Sequence, residues 1–219
     1  MVKRLLVLAL VFSGCFPQSL DETGKRCAAA RPCGDGFTCF DLFCQPNGSI
    51  DAGPGNWLFN PDFELLNDAG RNLLGWRAAN GDLEPSPLQP HEGNFSARLY
   101  SVDGGDVPSM VPLTAPVRNT LAGQTWCAQG WARTEFAGDA GVIVGLYIRE
   151  RHDDGGFNES TPARPRVFAQ WVLLDELFVT EGAERLDVRV AFARQARRGE
   201  AVVVDQLRLK RSVDGVCRW

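Results

Sequence analysis

Apolar and polar side chains alternate at every second position in three segments of the chain's second half, and this pattern constrains the fold most. The apolar positions are Val142, Val144, Leu146 and Ile148 in the first segment, Leu186, Val188, Val190 and Phe192 in the second, and Val202, Val204 and Leu207 in the third. Successive side chains of a strand point to opposite faces, so each segment predicts a strand with one buried face. The third predicts an irregularity near Asp205, where the alternation slips.

Short apolar or alternating runs, separated by turn residues, recur over residues 56–219 and predict further strands. The predicted strands are Asn56–Phe59, Phe63–Leu65, Asp82–Leu83, Ser96–Tyr100, Met110–Leu113, Gln124–Arg133, Gly141–Glu150, Val167–Phe178, Arg185–Phe192 and Ala201–Lys210. No long stretch keeps a helical period, and a short helix is an alternative only over Leu65–Leu74. Many short strands in about 160 residues predict an all-β domain, a β-sandwich of the jelly-roll kind.

The amino end has the order of residues found in export signals. Two basic residues, the apolar run Leu5–Phe12 and two small residues precede Cys15. This order predicts a signal peptide over residues 1–14, because the run is far shorter than the roughly 20 residues of a membrane-spanning helix. Val11–Cys15 resembles the lipobox of bacterial lipoproteins, which implies lipidation of Cys15 and cleavage before it. The alternative is an ordinary signal peptide followed by an incidental cysteine.

A lipid on Cys15 would be the only membrane anchor, since no other segment is long and apolar enough to span a bilayer. The resemblance implies an exported, membrane-anchored lipoprotein, and Phe16 after the lipid cysteine is consistent with the outer membrane or cell surface. Loss of Lys3 and Arg4 with the signal lowers the formal net charge from −4 to −6. An acidic protein with scattered basic residues has no general attraction for nucleic acid.

The seven cysteines fit one lipidation site and an even number of disulfide-forming thiols in an exported protein. Four lie within residues 27–44, which are too few to bury a core and so predict a disulfide-held mini-module. Their spacing leaves three pairings open, and a zinc site is the alternative. The cluster resembles small modules of the pattern Cys…Cys-Gly-x-Gly-x-x-Cys…Cys, which implies the bonds Cys27–Cys39 and Cys33–Cys44.

The last two cysteines, Cys127 and Cys217, predict a disulfide that ties the carboxyl end to a strand in the middle of the domain. Two free buried thiols are the alternative. The predicted organisation is a signal peptide (1–14), a lipidated tether (15–26), the mini-module (27–44), a linker rich in Gly, Pro and Asn (45–55) and the jelly-roll domain (56–219).

Several motifs of the main domain resemble a known group of binding domains. They are Asn60-Pro61-Asp62-Phe63-Glu64 followed by Gly75-Trp76, His91-Glu92-Gly93 followed by Ala97-Arg98-Leu99, Trp131-Ala132-Arg133, and Val203-Val204-Asp205-Gln206-Leu207. In this order they are similar to motifs of the carbohydrate-binding modules of families four and nine, which have a galactose-binding-like jelly-roll fold. The resemblance covers nearly all of residues 56–211.

The resemblance implies a structural calcium ion between Glu64 of the opening motif and Asp205 of the last strand. Carboxylates and backbone carbonyls suit this hard cation. The sequence has Gln206 after Asp205, where the family often has a second aspartate. The alternative is that the two carboxylates cap backbone amides or pair with an arginine.

The resemblance also implies a sugar-binding surface on the non-core face of a concave sheet. Adjacent strands are expected to bring together Gln129, Trp131, Arg133, Tyr147, Arg149 and Arg189 on that face. Aromatic faces stack on pyranose rings and polar groups bond the hydroxyls. A solvated face with an aromatic patch is the alternative. The remaining candidates for stacking are expected in core or edge packing, namely Trp57, Trp76, Trp126 and Trp171.

The sequence contains no recognisable catalytic motif. Its two histidines, His91 and His152, belong to no nucleophile elbow, zinc-protease helix or phosphate-binding loop. The polar segment Arg151–Pro165 predicts a mobile surface loop, with a metal site at His152 as the alternative. We therefore predict a non-catalytic, lipid-anchored cell-envelope protein whose jelly-roll domain binds a glycan or polysaccharide. The alternative is a surface adhesion or scaffold protein that binds a protein partner and no sugar.

Overall fold

The computed structural model describes residues 27, 32–34, 37–40, 43–46, 56–67, 69–113, 115–135, 141–212 and 214–219, with the backbone alone for 37–46. The chain divides into two compact units, Met1–Pro46 and Asn47–Trp219. The signal peptide, Cys15, the tether and most of the linker lie outside the described residues, so those predictions stay predictions.

The first unit contains an antiparallel hairpin of β1 (Phe37–Phe40) and β2 (Phe43–Pro46). Cys39 lies opposite Cys44 in this hairpin. Cys27 and Cys33 are each disulfide-bonded, which disfavours the zinc alternative. The pairings Cys27–Cys39 and Cys33–Cys44 fall outside the described side chains and remain a prediction.

The second unit contains twelve strands in its described residues. They are β3 (Trp76–Asn80), β4 (Asp82–Ser86), β5 (Ser96–Tyr100), β6 (Ser109–Pro112), β7 (Val117–Arg118), β8 (Thr125–Thr134), β9 (Val142–Arg151), β10 (Phe157–Glu159), β11 (Arg166–Val167), β12 (Val172–Val179), β13 (Arg185–Phe192) and β14 (Ala201–Ser212). The helix considered at Leu65–Leu74 is absent from the described residues there, where Leu66 and Leu73 form an isolated β-bridge. The predicted strands Asn56–Phe59 and Phe63–Leu65 are irregular segments instead.

The strands form two antiparallel sheets that pack as a β-sandwich, which confirms the predicted fold class. One sheet has the order β10-β9-β13-β6-β3, with β11 added to β9 and β7 added to β13. The other has the order β12-β8-β14-β5-β4. The consecutive strands β8 and β9 therefore lie in different sheets, and this separation decides which side chains share a surface.

The core lies between the two sheets and uses the alternate positions predicted from the sequence. On β9, Val142, Val144, Leu146 and Ile148 are each at most 1% exposed. The apolar positions of β13 and β14 join the same cluster. Trp76 is also buried, and its Nε1 donates to the carbonyls of Phe59 and Asn60 at 3.0 and 2.9 Å, so the opening motif is fixed to β3.

Strand β14 has an irregularity at the position that the alternation indicated. Its pairing with β8 shifts register between Asp205 and Arg208, and Gln206 has a φ of 49°. A β-bulge of this kind re-aims the side chains that follow it. Leu207 consequently reaches the core at 1% exposure, although the strict two-residue period is broken before it.

The predicted disulfide between Cys127 and Cys217 is present and joins residues 90 positions apart. It ties the carboxyl-terminal segment to the outer side of β8. The ring of Trp219 lies 4.4 Å from Lys210 Nζ of β14. Within the described part of the chain, no helix has the length and apolar character needed to cross a membrane.

Candidate functional site

The outward side of β8 presents Gln129, Trp131 and Arg133. Ala128 and Ala132, which alternate with them, are in the core, so these three side chains point away from it. Strand β8 lies second in its sheet, between the edge strand β12 and β14. We call the outward surface of this sheet the five-stranded face.

Three aromatic rings form a cluster on the five-stranded face. The imidazole of His91 stacks on the indole of Trp131, with 4.3 Å between centroids and 15° between planes. The ring of Trp171 meets His91 edge-on at 5.5 Å and 85°. All three residues are half-buried, so the cluster is accessible in part. Stacked and edge-to-face rings near a surface provide the flat apolar area on which the face of a pyranose can stack.

Arg133 lies beside this cluster and is only 5% exposed. Its Nη2 donates to the Leu88 carbonyl, and its Cζ lies 5.2 Å from the centroid of the Trp171 ring. Burial lowers the pKa of Arg133 from its ordinary value, and the charge of Glu135 opposes that effect in part. Gln129, two residues before Trp131, is half-buried and adds an amide that can both donate and accept.

The loop that carries His91 is held by two carboxylates. Asp205 Oδ2 accepts the backbone N–H groups of His91 and Glu92 at 2.8 and 3.3 Å. Glu64 Oε1 accepts those of Asn94 and Phe95 at 2.6 and 2.9 Å. These bonds fix the position of the imidazole over Trp131. Glu64 of the opening motif and Asp205 of the last strand therefore shape the five-stranded face by holding this loop.

A tight turn at Gly93 lets Glu64 approach the loop. Gly93 has a φ of 71°, and a Cβ at this position would collide with the Glu64 carboxylate. Burial and the nearby charge of Glu64 raise the pKa of Asp205 from 3.8 to about 7, with the hydrogen bonds from the loop amides opposing the rise.

Glu64 and Asp205 both accept hydrogen bonds from backbone amides, which is the capping role named as the alternative to calcium binding. Ca²⁺ takes 6–8 oxygen ligands. Among the described residues, no group of three or more His, Cys, Asp or Glu side chains is placed to hold a metal ion. Glu64 and Asp205 alone do not supply enough oxygen ligands for a calcium ion, and calcium at this position remains a prediction.

The other three predicted ligand residues, Tyr147, Arg149 and Arg189, lie on the opposite side of the sandwich. They belong to β9 and β13 and point outward from the seven-stranded sheet, whose outward surface we call the seven-stranded face. The expectation that all six residues share one face is therefore wrong. Alternation distinguishes inward from outward positions, but it does not assign a strand to a sheet.

The side chains of the seven-stranded face neutralise and cover one another. Arg149 Nε lies 3.5 Å from Glu159 and 3.6 Å from Asp187, and Arg151 Nε lies 3.0 Å from Asp187. The ring of Tyr147 is only 3% exposed, with the guanidinium carbons of Arg164 and Arg189 at 5.7 and 4.8 Å from its centroid. This surface is a closed ionic network and offers no exposed aromatic plane at Tyr147.

The segment Arg151–Pro165 contributes to that network and contains more structure than a surface loop. Its strand β10 pairs with β9 and places Glu159 opposite Arg149. His152 Nε2 lies 3.4 Å from the side-chain nitrogen of Asn158.

Sequence reasoning overlooked His91 and Trp171 as members of the site. Trp171 was assigned to packing, and His91 was noted only within a strand-entry motif. His91 lies between strands. The predicted strand Val167–Phe178 is two strands, β11 and β12, and Trp171 lies in the segment between them, so alternation within one strand could not place its ring. Of the other tryptophans expected in packing, Trp76 and Trp126 are buried, whereas Trp57 is 40% exposed.

Comparison with known proteins identifies the fold. The sequence matches no protein-family model and no curated protein sequence. Among solved structures, an arabinose-bound α-L-arabinofuranosidase, MgGH51, is similar with a TM-score of 0.55 and 16% identity over 75% of this chain and 28% of that chain. The C-terminal family 22 carbohydrate-binding module of Clostridium thermocellum Xyn10B is similar with a TM-score of 0.50 and 15% identity, covering 67% of this chain and 91% of that chain.

A third similar structure is the enzymatically active domain of bacteriophage CBA120 tailspike protein 4, with a TM-score of 0.50, 11% identity, and coverage of 72% of this chain and 21% of that chain. The chain thus spans about a quarter of the two enzymes but nearly all of the binding module. Its second unit shares the β-sandwich fold of that binding module. The specific likeness to families four and nine remains a prediction.

Proposed function

We propose that this protein is a non-catalytic polysaccharide-binding lipoprotein of the cell envelope, and that the five-stranded face holds the glycan. The observation that carries the proposal is the half-buried cluster of His91, Trp131 and Trp171 beside Arg133 and Gln129. It combines apolar ring area with hydrogen-bond donors, which is the chemistry that binds sugars. The fold shared with a family 22 carbohydrate-binding module supports the proposal.

The experiment is a polysaccharide and glycan array probed with the whole chain, purified under oxidising conditions with calcium present. Binding isotherms then compare Trp131→Ala with Phe157→Ala, an aromatic truncation on the seven-stranded face where the ring is 59% exposed. We expect Trp131→Ala to weaken binding at least about tenfold, as for a central aromatic anchor. Phe157→Ala should leave binding unchanged. Absence of binding to every glycan by a folded protein would contradict the proposal.

The lipid anchor and the envelope location rest on the order of residues before Cys15 and await their own test. We expect the chain expressed in a bacterial host to incorporate a labelled fatty acid and to sediment with membranes. Cys15→Ala should abolish both. Incorporation that persists in Cys15→Ala, or a wild-type chain that stays unlabelled and is released, would contradict the lipoprotein assignment.

One observation favours the protein-partner alternative. The edge strand β12 presents Leu173, Leu177 and Val179 outward on the five-stranded face, with exposures of 40, 46 and 52%. Exposed apolar side chains at a sheet edge are typical of contact surfaces, and here Asp175 interrupts the row between Leu173 and Leu177. Leu177→Lys separates the two functions, because it should abolish capture of a protein partner and leave glycan binding at Trp131 nearly unchanged.

A further inference from the structure

Arg133 has a buried positive charge on a side of the sheet where charged groups are normally solvated. The residue is 5% exposed, and its Nε is fully buried without a hydrogen-bond acceptor. Removing a guanidinium from water costs several kcal/mol unless an anion or hydrogen bonds compensate. The hydrogen bond from Nη2 to the Leu88 carbonyl offsets part of this desolvation cost. Nε donates to no acceptor, so the cost of burying it is not offset.

Two half-buried arginines of the seven-stranded face, Arg149 and Arg189, have carboxylates that offset the cost of removing their charge from water. Arg149 Nε and Arg189 Nε also lack a hydrogen bond of good geometry, but each lies 3.3 to 3.6 Å from a carboxylate oxygen. Arg133 has no ion pair within 4.0 Å among the residues that the structure describes. Its nearest source of negative charge is Glu135, which is bonded to Arg98 Nε at 2.6 Å and to Ser86 Oγ at 3.0 Å.

Arg133 lies next to the surface proposed to stack a sugar. Arg133 and Trp131 are two residues apart on the same side of β8, and the guanidinium is in contact distance of the Trp171 ring. The guanidinium donates to the Leu88 carbonyl of segment 87–90, in which Leu88 is 62% exposed and Gln89 has a φ of 49°. A ligand on Trp131 would therefore reach Arg133 through a small displacement of this exposed segment.

We propose that the ligand of the five-stranded face is an acidic polysaccharide, and that a sugar carboxylate pairs with the guanidinium of Arg133. This inference rests on the proposed function and specifies its substrate class. The carboxylate of a hexuronate is attached to the pyranose ring, so a ring stacked in the aromatic cluster can place it beside Arg133. A guanidinium fork and a planar carboxylate match in geometry, and such charge-assisted bonds are about twice as strong as neutral ones.

The test compares sugar acids with their neutral methyl esters, which keep the same ring and hydroxyl groups. The whole chain is titrated with oligouronates of galacturonic, glucuronic and mannuronic acid and with the methyl ester of each, and a sulfated galactan forms a separate arm. We expect at least one acid to bind at least tenfold more tightly than its ester, a ratio that corresponds to about 1.4 kcal/mol. This comparison needs no variant and does not depend on how a substitution folds.

Two variants assign the preference to Arg133. Arg133→Gln removes both the positive charge and the planar fork, so the ratio between acid and ester should fall to near one. Arg77→Gln removes an exposed arginine from β3 in the other sheet and should keep the ratio. Thermal unfolding confirms that each variant is folded.

Other outcomes separate the inference from the function on which it rests. If acid and ester bind equally, or if the array shows only neutral glycans, the inference is overturned and the glycan-binding function stands. Binding of the sulfated galactan without any uronate overturns the carboxylate assignment. If no glycan binds at all, the proposed function itself fails.

Discussion

The two outer faces of the sandwich contain the same kinds of side chain and use them differently. On the seven-stranded face, Arg149 and Arg189 lie near carboxylates and cover Tyr147, which is 3% exposed. On the five-stranded face, Trp131 keeps part of its ring accessible, and Arg133 has no carboxylate within ion-pairing distance among the described residues. Arginines beside aromatic rings thus form an ionic network on one face and, on the other, lie in the surface that we propose binds the glycan.

The difference teaches that the neighbours of a side chain, more than its identity, decide between structure and binding. In the network of the seven-stranded face, Arg149, Arg151 and Arg189 each have a carboxylate oxygen within 3.6 Å. A guanidinium without such a carboxylate can still pair with an anionic ligand, at a cost in stability that other interactions must offset. The predictions below perturb the two faces in turn.

The largest expected effect comes from breaking the network of the seven-stranded face. Asp187→Ala removes the carboxylate that Arg149 and Arg151 share and leaves Glu159 alone to face Arg149 and Arg189, so we expect a loss of about 3–5 kcal/mol of unfolding free energy. Chemical denaturation measures it. The control is Glu184→Gln, which removes the partner of an exposed ion pair at 3.4 Å and should cost at most about 1 kcal/mol. Equal effects of the two substitutions would contradict the closed network.

The second prediction concerns the disulfide between Cys127 and Cys217, which should stabilise the five-stranded sheet at one end. Joint replacement of Cys127 and Cys217 by alanine releases the carboxyl-terminal segment and should cost about 2–4 kcal/mol, because the bond closes a long loop in the unfolded chain. Thermal unfolding with and without reductant provides the measurement. The second unit of the wild type should lose stability on reduction, whereas that of the double variant should be insensitive, because the remaining disulfides of Cys27 and Cys33 lie in the first unit. An unchanged midpoint in the double variant would show that the tail is held by packing alone.

A smaller effect should follow pH through Asp205, the buried aspartate of the five-stranded sheet. Its pKa is about 7 in the folded protein against an ordinary value of 3.8, so the folded state binds the proton more tightly than the unfolded chain. Its contribution to stability is fully present below pH 3.8 and is lost as pH rises through 7. Between pH 5 and 8 the loss should be about 2–3 kcal/mol.

Unfolding midpoints measured across this pH range with a chelator check the prediction, with Asp205→Asn as the matched variant. The variant can still accept the loop amides through its side-chain oxygen, and its stability should depend less on pH. A pH dependence that is unchanged in Asp205→Asn would assign the effect to another group. Calcium added at pH 8 should restore stability if an ion binds beside Asp205, and should have no effect if the carboxylates only cap amides.

The sequence was sufficient for the all-β class, the core positions of β9, β13 and β14, the bulge near Asp205 and the Cys127–Cys217 bond. Each of these follows from local alternation or from the count of cysteines. The partition of outward residues between the faces could not be predicted, since β8 and β9 are consecutive and both alternate. His91 and Trp171 were missed because they enter the site from segments between strands.

The central claim is that the ligand contacts Trp131 and Trp171, and the indole N–H resonances of the six tryptophans test it most directly. The whole, unmodified chain labelled with ¹⁵N is titrated with the glycan that binds most tightly on the array. The account predicts that the resonances of Trp131 and Trp171 move on saturation, while that of buried Trp76, bonded to Phe59 and Asn60, stays in place. Saturation with the Trp131 and Trp171 resonances unmoved would contradict it and place the glycan elsewhere on the sandwich.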